Sequence, residues 1–307
     1  MYIREAIRSR LDQYYQSVHI NDFSSFIKSD FRDGVLFDLS EERAQRNIAH
    51  SKEVLEEIAV WRNLPDLTWE EHIQLDIVSD FCRYIIRNGK FYWYKFNLTH
   101  NTTPLPYVIK RLESYPLERA EDLEQYMALL EQFPEKLEGM VEKLQGQERR
   151  GILLPEEQLD ICLRLLESLF QQEGSLLKPW NRPGTTVRIA PADRVRINAA
   201  VQALNKALAG TLDYLNNGYN TAGKKVLPGL CHMEGGLEYY REQIITYTSY
   251  PLDPEELHAI GLRELEVTRE KMRSIIRELG FAMDVPEFQS YLQENRICFD
   301  DTPEQLQ

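Results

Sequence analysis

Apolar residues recur three and four positions apart along almost the whole of this chain, and that period restricts it to helices. Residues 3 to 18 set the pattern with Ile3, Ile7, Leu11, Tyr14, Tyr15 and Val18. The same spacing returns at Val54, Leu55 and Ile58, then at Ile73, Ile77, Val78 and Phe81. It appears again at Leu159, Cys162, Leu163, Leu166, Leu169 and Phe170. The starts and stops are marked as helices mark them. Ser40 precedes Glu41 and Glu42, which place negative charge in a first turn. Thr68 and Glu71 in "TWEE" form a capping box, and Gly89 is suited to end that helix. Further helices are expected near 105–114, 120–132 and 134–146, with Pro134 opening the last of these, and another from Pro155. A long one runs from about Pro191 to Leu215, tolerating Gly210. One from about Leu237 to Tyr247 follows, then the longest, from Asp253 to Leu279 with Gly280 at its end, and a short one from Pro286.

The fold class that follows is all-α, a multi-helix array with long antiparallel helices packed by ridges and grooves and very little strand. Residues 1–307 read as one helical domain. The loop "GSLLKPWNRPGTT" at 174–186, with two prolines and two glycines, makes the region 174–190 the candidate sub-division. The segment "GKFYWYKFNLTHNTTPLP", 89–106, is dense in aromatic residues without helical spacing and is expected to be extended and buried. "RICFDD", 296–301, is expected to be a short extended piece. After it the last residues, "DDTPEQLQ", look like a helix start, with Thr302 as cap and Pro303 at the first position.

Charge narrows the function. The net charge is −13 with a pI near 5.1, which opposes non-specific nucleic-acid binding and docking on anionic lipid. No apolar run is long enough to span a bilayer, and the charged first twenty residues do not look like a signal peptide. Cys82, Cys162, Cys231 and Cys298 are widely spaced with no C-x-x-C pair, as free thiols in a reducing cytoplasm would be. Without a segment that looks like a signal peptide, the Asn-x-Thr matches at Asn97 and Asn101 carry little weight.

Chemistry is sparse. No His-Glu-x-x-His, G-x-S-x-G or phosphate-cradling glycine loop is present. Glu255 and His258 stand three apart, but a di-metal carboxylate bundle needs two such pairs and two further carboxylates, and a first-turn Glu255 is also explained by the helix dipole. His50 and Glu53 read as a solvated pair and His72 as a surface residue; His19 and His100 have no evident partner. Arg194 and Arg196, two apart, do not share a helix face. Phe91, Tyr92, Trp93, Tyr94 and Phe96 either line a groove or fill a core. The most distinctive stretch is "HMEGGLEYYREQI". Gly235 and Gly236 before a helix let backbone N–H groups face open space, where a carboxylate or carbonyl could sit, with Tyr239 and Tyr240 within reach. The plain alternative is a loop-to-helix junction with two tyrosines packed inward.

The ordered set "FDLSEERAQRNIAHSKEVLEEI", "LPYVIKRLESYPLERAEDLEQYMALLEQFPEKLEGMVEKLQGQERRGILLP", "YLNNGYNTAGKKVLPGLCHMEGGLEYYREQIITYTSYPLDPEELHAIGLRELEVTREKM" and "LGFAMDVPEFQSYLQENRICFDDTPEQL" resembles the bacterial family catalogued as domain of unknown function number 885. The resemblance spans nearly the whole chain. It implies kinship with helical zinc metallopeptidases, and it explains the interrupted helix at 302. Family members are nearly twice this length, and their His-Glu-x-x-His helix lies beyond Gln307. The resemblance therefore implies that residues 1–307 are an amino-terminal scaffold and substrate-channel half. That half would not be competent alone, with zinc expected only alongside the carboxy-terminal part. It implies a peptide-like substrate for the full-length protein, contacted by Gly235, Gly236, Tyr239 and Tyr240. No catalytic or metal-binding residue is assigned to this chain. Self-association is expected through an exposed docking face, and no nucleic-acid or membrane partner is expected. The alternative is a stand-alone helical interaction module without catalytic chemistry.

Overall fold

A computed structural model describes residues 2–19, 37–99, 101–170, 175–182 and 185–295. The extended "RICFDD" piece and the helix start at Thr302 lie outside the described residues, as do His100 and Cys298.

Every regular element among the described residues is helical. In chain order they are α1 (Tyr2–His19), α2 (Glu41–Trp61), α3 (Trp69–Gly89), α4 (Leu105–Glu113), α5 (Ala120–Arg149), α6 (Glu156–Ser168), α7 (Pro191–Asp213), α8 (Gly236–Thr248), α9 (Pro254–Glu278) and α10 (Val285–Glu294). The caps act as the sequence requires. Ser40 accepts from the Arg43 amide at 3.1 Å, and Thr68 and Glu71 close the capping box of α3 in both directions. Asp253 caps α9, and Asp284 with Glu287 boxes α10.

The chain divides into two compact units, Met1–Tyr240 and Arg241–Gln307; the stretch 174–190 lies inside the first. Two apolar clusters hold the first unit. The smaller joins Ile7, Leu11 and Tyr14 of α1 to Val54 and Ile58 of α2 and to Leu75 and Cys82 of α3. Ile48 meets Gly89 while Arg62 reaches Asp76 and Ser79, so α2 and α3 run antiparallel. The larger cluster packs Leu105, Val108 and Leu112 of α4 with Tyr126, Leu130, Phe133 and Leu137 of α5 and Ile197, Val201, Leu204 and Leu208 of α7. Here Arg196 bonds Glu124 and Glu131, and Tyr214 bonds Glu148, so α5 and α7 run parallel. That pair departs from the antiparallel expectation.

Two local expectations are corrected. The helices expected at 120–132 and 134–146 are one helix of 30 residues, with Pro134 inside it. Pro134 removes one backbone donor, but Leu130, Phe133, Leu137 and Met140 are buried on both sides of it and hold the helix together across the gap. The aromatic segment is not extended: Tyr92–Tyr94 form a 3₁₀ turn, with Phe91 and Leu98 buried and the residues between them half-buried.

The second unit holds α9 and α10 as a hairpin. Gly280, at φ 83°, turns the chain after α9, and Phe281, Phe288 and Tyr291 cluster with ring centroids 5.0–6.3 Å apart.

Candidate functional site

The 3₁₀ turn organises the candidate site. Residues three apart eclipse in such a turn, so Phe91 and Tyr94 share one side, with centroids 5.8 Å apart, while Tyr92 and Trp93 meet edge-on at 4.9 Å. The two pairs serve different surfaces.

Tyr92 and Trp93 face a groove of about 580 Å³. Its other walls are the start of α2 (Asp38 to Glu42) and the middle of α5 (Glu135 to Lys143). The walls are fixed by polar contacts. Tyr92 donates to the Leu39 carbonyl at 3.0 Å, the Trp93 indole donates to Glu41 at 3.2 Å, and Gln147 donates to the Trp93 carbonyl at 2.7 Å. Gly146 leaves room for the Trp93 ring, which Arg150 covers at 3.8 Å. Burial opposes ionisation of Asp38, but hydrogen bonds from Ser40 and the positive Lys136 and Arg46 hold its carboxyl below the usual range. Burial, then the negative Glu41 and Asp38, push the Tyr92 phenol up.

Lys143 lies on the α5 wall and is only 6% exposed. Its Nζ sits 4.0 Å from the Tyr92 ring centroid and donates to Asn97 Oδ1 at 3.3 Å. Burial, and secondarily the positive Lys95, push its pKa down to about 7, against the opposing pull of Glu41. Asp38, Glu41, Glu42, Glu135, Glu138 and Glu142 make the groove acidic overall. Tyr92 and Trp93 meet the groove-lining alternative for the aromatic cluster, whereas the sequence did not single out the α2 and α5 walls or Lys143.

Phe91 and Tyr94 face the second surface. The Tyr239 ring lies 5.0 Å from Phe91 and 5.5 Å from Tyr94. Tyr94 donates to the Glu234 carbonyl at 2.5 Å, and Lys90 pairs with Glu238 at 2.7 Å. Gly235 has φ 70°, and a Cβ there would stand 2.5 Å from the Tyr94 hydroxyl. A Cβ on Gly236 would stand 1.8 Å from the Leu230 carbonyl oxygen. Gly235, Gly236 and Tyr239 are thus brought together, whereas Tyr240 is 42% exposed and outside the ring cluster. The Gly236 N–H donates to the Met233 carbonyl at 2.9 Å and is not turned toward open space.

The remaining candidates separate. Glu255 and His258 are exposed on α9, and among the described residues no three His, Cys, Asp or Glu side chains converge as metal ligands. Zinc, the ion the family resemblance implies, therefore does not fit the donors described, and no chemical step is assigned through it. His50 is half-buried rather than fully solvated, and Glu53 still acts on it electrostatically. It lies 3.2 Å from Arg10, itself paired with Glu57, and edge-on to Tyr14 at 5.0 Å. Arg10 and burial lower its basicity, burial acting most strongly. His72 is exposed, as its sequence context suggests. Arg196 bridges Glu124 and Glu131, while Arg194 stacks on Trp180 at 5.3 Å. Cys82 and Cys162 are buried thiols and Cys231 an exposed one.

The fold and these two surfaces define an all-helical scaffold with an acidic groove. Residues 24–307 match the family described as "Bacterial protein of unknown function (DUF885)", and the chain belongs to that family. No curated protein matches. Among solved structures, a crystal structure from Colwellia psychrerythraea, described as that of a candidate lipoprotein, shares the fold with a TM-score of 0.77 at 14% identity. The likeness covers 98% of this chain and 56% of that one, so this chain spans a little over half the length of its structural relative. No helix among the described residues is long and apolar enough to cross a membrane.

Proposed function

We propose that residues 1–307 act as the scaffold and substrate-channel portion of a metallopeptidase-like protein, binding peptide-like substrate and lacking catalytic competence alone. A cytoplasmic location belongs to the same proposal. The observation that carries it is the unequal coverage: nearly all of this chain matches just over half of a longer protein. The walls available to a peptide are the acidic groove and the junction of Gly235, Gly236, Tyr239 and Tyr240. The groove carboxylates suit the ammonium end or basic side chains of a peptide. The exposed Tyr240 supplies a flat apolar surface with a polar tip.

Elemental analysis of the purified chain after mild chelation, run beside a mixed-peptide hydrolysis assay, tests this reading. The expected outcome is zinc far below stoichiometric with no peptide cleavage. One zinc held per chain through chelation, or cleavage that copurifies with the chain, would overturn it.

A further inference from the structure

We propose that Lys143 is a nucleophilic amine that captures small neutral or cationic aldehydes from the acidic groove as a reversible imine.

The argument begins with the helix. A helical side chain leans toward the N-terminus and covers the turn before its own Cα. The space ahead of Lys143 is therefore that above residue 139. That residue is glycine, and a Cβ built on it would have nothing within 4 Å. Gly139 thus leaves an open approach on the face that carries the lysine. A glycine in the middle of a helix is destabilising by ~1 kcal/mol relative to alanine, so the opening has a cost.

Among the described residues the amine has no ionic partner. Among the described residues its contacts are the face of Tyr92 and the neutral Asn97 amide oxygen. The charged groups around it come from three directions. Asp38, Glu41 and Glu42 face the groove from the start of α2, and Glu135, Lys136, Glu138 and Glu142 from α5 itself, while Lys95 of the aromatic segment acts on the amine electrostatically. Burial and Lys95 together favour the neutral amine near pH 7, the form that carries a free electron pair.

The chemistry balances without a cofactor. The nitrogen lone pair attacks the carbonyl carbon and forms a C–N bond. The N–H proton passes through water to the carbonyl oxygen, giving a carbinolamine. Its hydroxyl then leaves with a proton as water, and a C=N bond remains, with nothing oxidised or reduced. The surrounding carboxylates stabilise the protonated imine and repel anionic carbonyl compounds, which sets the ligand class.

Imine trapping with cyanoborohydride on the whole chain tests this, with propanal as the neutral probe and glyoxylate as the anionic one, followed by peptide mass mapping. At pH 7 the propanal adduct on Lys143 should exceed that on the median exposed lysine by about tenfold or more, because the neutral fraction of an ordinary lysine is so small there. The α-amino terminus, which is also partly neutral at that pH, serves as the reference. Glyoxylate should label Lys143 less than propanal does. Gly139→Leu should suppress the Lys143 adduct and leave the others unchanged. Should that variant not fold by circular dichroism, the pH of half-maximal labelling in the natural chain decides, near 7 in support and near 10 against. Labelling of Lys143 no greater than that of exposed lysines overturns the proposal. The proposed scaffold role is unaffected by that result, since it is read from zinc content and peptide cleavage.

Discussion

Gly236 and Gly139 are the same residue type placed for opposite reasons. At Gly236 an added methyl would collide with a backbone oxygen that cannot move aside, whereas at Gly139 it would enter open space. Gly236→Ala is therefore expected to lower stability by about 2 kcal/mol or more, because the junction before α8 must shift. Gly139→Ala is expected to raise it by roughly 0.5–1 kcal/mol through helix propensity alone. Urea denaturation of the two variants in parallel measures both signs. Lys143 adds a pH-dependent term. Its folded pKa lies near 7, below the unfolded value, so the native state binds fewer protons than the unfolded chain between about pH 7 and 10.5. The lysine's penalty is full below pH 7 and diminishes as pH rises through that window. Lys143→Met should stabilise by roughly 2–4 kcal/mol at pH 6, and by clearly less at pH 9. Equal gains at both values, from denaturation curves, would refute the neutral-amine assignment. The sequence makes the paired glycines visible because a glycine pair ahead of a helical period is a local signal. It hides Lys143, because the ring and amide that hold it come from a segment distant in the chain.

At the scale of elements, caps were the most readable feature, since each involves residues two or three apart. Ser40, Thr68 with Glu71, and Asp253 all act in the structure as local chemistry requires. Proline misleads for the converse reason. Taken alone, Pro134 marks a helix start, and only tertiary burial on either side of it carries α5 through. The continuous helix therefore tolerates a defect, and Pro134→Ala should restore a backbone donor within it. The expected gain is about 1–2 kcal/mol, smaller than the full cost of an interior proline because alanine also frees the unfolded chain. A fall in stability on this substitution, by thermal or urea unfolding, would mean that the helix is shaped around the proline. The aromatic segment eluded a local reading for a related reason. A 3₁₀ turn of three residues has too few positions to show a period, and its three rings, with that of Phe91 before it, divide between two surfaces that only the assembled fold supplies.

For the molecule as a whole, the instructive feature is what α9 leaves uncovered. Leu265, Met272 and Leu279 recur seven apart, with Leu262 one turn before, and all four are 39–59% exposed. Glu266, Glu270, Arg273 and Arg277 of that helix form ion pairs with one another, and Arg269 falls within the stripe itself. Such exposed pairs contribute little stability, so they secure solubility on one face and leave the apolar one available. These exposed leucines and methionine suit association with another apolar surface. Under the proposed scaffold role, the isolated chain should bury the stripe against itself at high concentration. Sedimentation velocity should then show a concentration-dependent dimer. The double variant Leu265→Glu, Met272→Glu should shift it to monomer with the helical circular dichroism unchanged, since both side chains are exposed already. A wild-type chain that stays monomeric and binds no hydrophobic dye would deprive the docking-face part of that role of its support.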